Sequence, residues 1–89
     1  MHNETKEKDK IMNIKNINCK IFKEGEFIPK SWNKYTITAK YVIDGEPITT
    51  TWSVYAKSVF EADKWANIMI EGVAGTLKGV KKNIEKISR

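Results

Sequence analysis

The 89-residue sequence predicts an α+β fold. A small antiparallel sheet, made of an N-terminal strand and a central β-hairpin, packs on one amphipathic helix, and a short C-terminal helix or strand follows. Three observations carry this reading. Asp44-Gly45 stands between two alternating runs, Ser58 and Glu61 are spaced as a helix start, and apolar residues then recur at steps of three and four from Ala62.

The chain opens with residues 1–10, where Lys alternates with Glu or Asp and no apolar residue follows Met1. Such a stretch buries nothing, so a disordered tail without net charge is expected, and 11–89 forms a single domain. Met12 is a second candidate start. From Ile14, the residues Ile17, Cys19 and Ile21 alternate, which predicts a strand of about 16–23 ended by Glu24-Gly25. Phe27 and Ile28 before Pro29 read as a loop anchored by apolar contacts, with Trp32 leading into the hairpin.

The hairpin can be derived residue by residue. Asp-Gly accepts positive φ at both central positions of a two-residue turn, so Ile43 faces Glu46. Tyr41 then meets Ile48, Ala39 meets Thr50, Ile37 meets Trp52 and Tyr35 meets Val54. That register gathers nearly all large apolar residues of both strands on one face. The other face carries Thr36, Thr38, Lys40, Thr49, Thr51 and Ser53, and a slip of one residue would oppose the two sets. Pro47 lies where its missing N–H points away from the partner strand, which makes the second strand an edge near the turn.

Ser58 and Glu61 have the spacing of a capping box, which satisfies two otherwise orphan backbone donors. Beyond them Ala62, Trp65, Ala66, Met69 and Val73 form a stripe suited to the apolar face of the hairpin. The aromatic set therefore reads as core packing. In the last segment, Leu77, Val80, Ile84 and Ile87 step like one face of a helix that Thr76 would cap. Gly72, Gly75 and Gly79 break the chain before it. The pattern favours a short helix, with a short strand over Asn83 to Ser88 as the alternative.

Composition bounds what the chain does. With 40% hydrophobic and 30% charged residues it is an ordinary globular sequence with one modest core. No apolar run is long enough to span a membrane and the polar start is unlike a secretory signal, so a cytoplasmic protein is expected. Cys19 is the one cysteine and reads as a small buried hydrophobe rather than a nucleophile. His2 is the one histidine and lies in the tail. A zinc site or a Ser-His-Asp triad would need ligands that this chain lacks, and no metal, cofactor or enzymatic activity is expected.

Charge is where function shows. The net charge is +5, and residues 76–89 alone carry +4 through Lys78, Lys81, Lys82, Lys86 and Arg89 against Glu85. Residues 35–75 sum to −2. If the final segment is a helix, its apolar stripe docks and its basic residues form an exposed strip able to contact phosphates of RNA or DNA, with Lys34 and Lys40 contributing from the sheet. A Lys-rich terminal segment also reads as an ordinary solvated surface.

Two resemblances follow from these residues. Asp44-Gly45, the run Trp52-Ser53-Val54-Tyr55-Ala56-Lys57, the helix opening from Ser58 to Ala62, and Gly75 to Lys82 before Ile84 to Ile87 resemble the LX family of archaeal large-subunit ribosomal proteins. That resemblance covers Tyr35 to the C-terminus. It implies a hairpin-helix-strand unit contacting ribosomal RNA, with Lys81 and Lys82 matching the family's basic pair. Trp32, the Tyr35 to Ile43 strand, Asp44-Gly45 and Lys57 to Trp65 are similar to the arm-type DNA-binding module of phage tyrosine integrases. In that module the exposed face of a three-stranded sheet lies in the major groove. The functional expectation is a small non-enzymatic nucleic-acid-binding module. The alternative is a protein-interaction module of phage or mobile-element type, binding a partner or a second copy through the edge strand Pro47 to Tyr55 or through exposed Trp32 and Phe27.

Overall fold

The computed structural model describes residues 16–87; the tail 1–10, Met12 and Arg89 lie outside them. The elements are β1 (Cys19–Lys20), β2 (Asn33–Ile43), β3 (Glu46–Ala56), the helix α1 (Val59–Ala74) and β4 (Lys81–Ile87). They form one four-stranded antiparallel sheet in the order β1-β3-β2-β4, with α1 across one face.

The hairpin forms in the register derived above. Asp44 has φ 50° and Gly45 φ 81°, the left-handed pair that a tight two-residue turn requires. Ile43 stands opposite Glu46, Tyr41 opposite Ile48 and Ile37 opposite Trp52. Val42 stands opposite Pro47 in a pair whose N–H groups point outward, so the proline costs the ladder no bond.

The helix start is half of the predicted box. The Glu61 N–H donates to Ser58 Oγ at 3.3 Å, while the Glu61 carboxylate accepts from Asn18 Nδ2 at 3.2 Å. With the Lys57 N–H donating to the Asn18 carbonyl at 2.9 Å, this ties β1 to the first turn of α1. At the other end Gly75 is left-handed, φ 76°, and its N–H closes on the Glu71 carbonyl.

Two apolar clusters lie between helix and sheet. Cys19, Tyr35, Ile37, Val54, Ala56, Ala62, Trp65 and Ala66 make the larger, and Ala39, Tyr41 and Ile70 the smaller. Trp52 and Trp65 meet edge to face at 5.5 Å and join strand to helix. Thr50 faces the core because its hydroxyl bonds that of Tyr41 at 2.8 Å. The buried stripe of α1 is Ala62, Trp65, Ala66 and Ile70, whereas Val73 is 59% exposed. Ile70 stands one turn beyond Ala66 and closes the smaller cluster, so the helix is rotated slightly from the stripe that ended on Val73.

Two elements differ from the sequence-based expectation. β1 is only two residues long, because the chain leaves the sheet for a turn at Lys23 to Glu26. There the Glu26 carboxylate accepts from the Lys23 N–H at 2.6 Å and from Lys20 Nζ at 2.7 Å. The last segment is a strand, not the favoured helix. Thr76 caps no helix; its hydroxyl accepts from the Lys78 N–H at 3.0 Å inside a turn that Val80 N–H closes on the Leu77 carbonyl. The chain then pairs with the free side of β2, Ile84 opposite Ile37 and Lys86 opposite Tyr35. Pairing satisfies the β2 backbone groups that β3 leaves unmet, which a seven-residue helix would not do.

Replacing Trp65 with Ala is expected to cost roughly 3 to 5 kcal/mol, since it empties the larger cluster and removes the edge-to-face contact. Ser58→Ala is expected to cost about 0.5 to 2 kcal/mol through the cap alone. Urea melts of the two variants check the order, and equal midpoints for Trp65→Ala and wild type would show that the helix does not dock through this ring.

Candidate nucleic-acid interface

Because side chains alternate across a strand, the register that buries Ile37 and Trp52 also assigns every residue of the opposite face. That open face is a set of cross-strand rows. Thr49, Lys40 and Lys81 make the first, Thr51, Thr38 and Asn83 the second, and Ser53, Thr36 and Glu85 the third; Lys20, Tyr55, Lys34 and Ile87 make the last. Lysines thus stand at both ends, roughly 20 Å apart along β2 from Lys34 to Lys40, with hydroxyls between them. Lys20 is paired with Glu26, and among the described residues no ion pair engages Lys34, Lys40 or Lys81. The Lys20 bond, followed by that of the Lys23 N–H, holds the Glu26 carboxyl below its ordinary pKa.

The helix on the opposite side is itself acidic. Helix α1 carries Glu61, Asp63 and Glu71 against Lys64 alone. The helix itself is therefore acidic and the open sheet face basic, while Lys82 and Lys86 of β4 lie on the helix side and offset part of its acid.

Strand pairing divides the predicted basic residues between the two layers. Lys40 and Lys81 face each other on the open side. Lys82 points to the helix, where its ammonium donates to Asp63 Oδ1 and Asn67 Oδ1 and its side chain is 20% exposed. Lys86 shares the Lys82 side of the strand but is exposed, and Lys78 is exposed in the turn before β4. Arg89 lies outside the described residues. The continuous basic strip expected of a helix is thus corrected: in a strand, consecutive Lys81 and Lys82 project to opposite faces, and one of them is committed to Asp63 and Asn67.

Sequence reading also missed an aromatic cluster at the Lys34 end. The Phe22 ring meets Tyr55 at 5.6 Å and Trp32 at 5.8 Å, edge to face in both cases. Tyr55 shares the last row with Lys34, so the fold places aromatic and basic side chains together although they are distant in sequence. Phe27 is 81% exposed nearby in sequence, in the loop between β1 and β2.

Cys19 offers no chemistry at this face. Burial, then the charge of Glu61, pushes its thiol up to about 12, so it is protonated at neutral pH. Among the described residues no three His, Cys, Asp or Glu side chains are grouped to hold a metal ion, and no helix is long and apolar enough to cross a membrane.

Comparison with protein-family models, curated proteins and solved structures returns no match for this chain. The likenesses to the LX proteins and to the integrase arm module therefore rest on the residues that carry them.

The two adjacent lysines are expected to behave differently on neutralisation. Lys82→Gln should lower stability by roughly 1 to 2 kcal/mol, because it removes the ammonium bonded to Asp63 Oδ1 and Asn67 Oδ1 at a partly exposed site. Lys81→Gln should stay within about 0.5 kcal/mol of wild type or gain slightly. Urea unfolding of both variants checks this, and a larger loss for Lys81→Gln would contradict the assignment of faces.

Proposed function

We propose that this chain is a small non-enzymatic nucleic-acid-binding module, acting in the cytoplasm, whose contact surface is the open face of the sheet. The observation that carries the reading is the group of lysines on the open face of the sheet. Among the described residues Lys34, Lys40 and Lys81 stand on that face without an ion pair, and the acids of α1 lie on the other side. A polyanion would be drawn to these lysines, which outnumber Glu85 on the same face. Lysines supply phosphate contacts without reading sequence, and the Thr, Ser and Asn side chains add hydrogen-bonding partners. Lys78 lies exposed in the turn before β4, Lys86 projects to the helix side, and Lys82 acts in folding.

A second reading, a protein-interaction module, is favoured by a separate observation. The outer side of β3 from Glu46 to Val54 has no strand beside it among the described residues, since β1 covers only Tyr55 and Ala56. A partner strand or a second copy would add there through main-chain bonds.

Salt dependence separates the two. Anisotropy of labelled RNA and DNA oligonucleotides should show binding that weakens steeply as salt rises, with the same trend for unrelated sequences. Replacing Lys34, Lys40 and Lys81 together with Gln should lower the magnitude of the salt slope by about 2 to 3, the share of three lost phosphate contacts. Replacing Lys64 on the helix should change nothing. No binding at low salt, or unchanged binding by the triple variant, would overturn the reading, and salt-independent self-association would favour the β3 edge.

A further inference from the structure

Within the open face one pair of residues is electrostatically unfavourable in the protein alone. Lys40 stands directly opposite Lys81 across the β2 and β4 ladder. Like charges directly opposed in an antiparallel pair repel at a Cβ separation of roughly 5 Å and destabilise the sheet. Among the described residues nothing of opposite sign is placed to relieve them. The neighbouring row is Thr38 and Asn83, the β3 neighbour of Lys40 is Thr49, and the nearest acid on this face, Glu85, is four residues along β4 from Lys81, roughly 13 Å away. Asp63 is taken by Lys82 on the other face.

The same residues line a shallow cleft of about 240 Å³, formed by Thr38, Lys40, Lys81, Lys82 and Asn83. Two ammonium groups, a hydroxyl and a side-chain amide offer donors from both strands. We propose that this cleft seats a phosphate group, with Lys40 and Lys81 bridged by its oxygens and Thr38 and Asn83 bonding beside them. A phosphate presents enough acceptor oxygens for both ammonium groups, in charge-assisted bonds. The inference refines the nucleic-acid reading by naming where one backbone phosphate is anchored, and it is separable from that reading.

The test uses the Thr38 methyl and the Asn83 side-chain amide as NMR reporters on the full chain. Inorganic phosphate, added against chloride at matched ionic strength, should shift both in a saturable way. Lys81→Glu should lower phosphate affinity by roughly tenfold or more, as expected for loss of a charged hydrogen bond. That variant converts a repulsive pair into an attractive one on an exposed row, so it should fold and melt no lower than wild type. A short single-stranded oligonucleotide should displace phosphate and produce shifts at the same two reporters. Absence of saturable shifts with phosphate, or equal affinity in Lys81→Glu, would overturn the seat. Oligonucleotide binding that leaves Thr38 and Asn83 unmoved would overturn the seat while sparing the nucleic-acid reading. Phosphate binding at the pair without any oligonucleotide binding would keep the seat and overturn that reading, pointing to a small phosphorylated ligand.

Discussion

Two consecutive residues with left-handed backbone, Asp44 and Gly45, set the parity of both long strands, and every later feature of the molecule inherits that choice. With Ile43 opposite Glu46, odd residues of β2 and even residues of β3 face the helix. Shifting one strand by a single residue would send Thr51 and Ser53 into the core and Trp52 and Val54 into solvent. The helix would then lose its apolar partner. The row structure of the open face would also dissolve, because its lysines and hydroxyls are assembled only in this register. Turn chemistry and hydrophobic pattern specify the same answer independently, which is what makes a short chain with a modest core commit to one structure.

Strand β4 shows how one element serves both layers. Ile84 packs against the larger cluster, Lys82 reaches Asp63 and Asn67, and Lys81 and Asn83 face outward. The two adjacent lysines thus do different work. One neutralises part of an acidic helix and fastens the strand to it; the other adds charge to the open sheet. The lysines left on the open sheet give that face a positive field, which matters for meeting a polyanion because encounter is steered before any specific contact forms. Aromatic rings at the Lys34 end lie where the basic rows stop, and stacking on such rings is tolerant of base identity.

Much of this was readable from the sequence where chemistry is local. Asp44-Gly45 specified the hairpin to the residue, Ser58 placed the helix start, and Pro47 marked the edge strand. The final segment was not readable in the same way. Its inward row is Lys82, Ile84 and Lys86, with one apolar residue, so period-two alternation is hidden. The spacing of Leu77, Val80, Ile84 and Ile87 imitates a helix. What decides the matter is the unpaired side of β2, a tertiary demand that no window of the final segment contains. The site followed the same error. Five cations on a presumed helix looked like one strip, and only strand pairing shows that Lys81 belongs with Lys40 while Lys82 belongs with Asp63. The Phe22 and Tyr55 contact was likewise invisible, because it joins a turn entry to the far end of β3.

The face turned away from the helix is the one proposed to meet nucleic acid. Threonine methyl groups report on it directly, since Thr36, Thr38, Thr49 and Thr51 all lie on that face. Methyl groups of Ala62, Ala66 and Ile70 report on the buried side of the helix. In a methyl-resolved NMR titration with a single-stranded oligonucleotide at low salt, shifts should be concentrated on the four threonines, with the helix methyls little changed. Shifts concentrated on the helix, or none at all, would contradict that proposal.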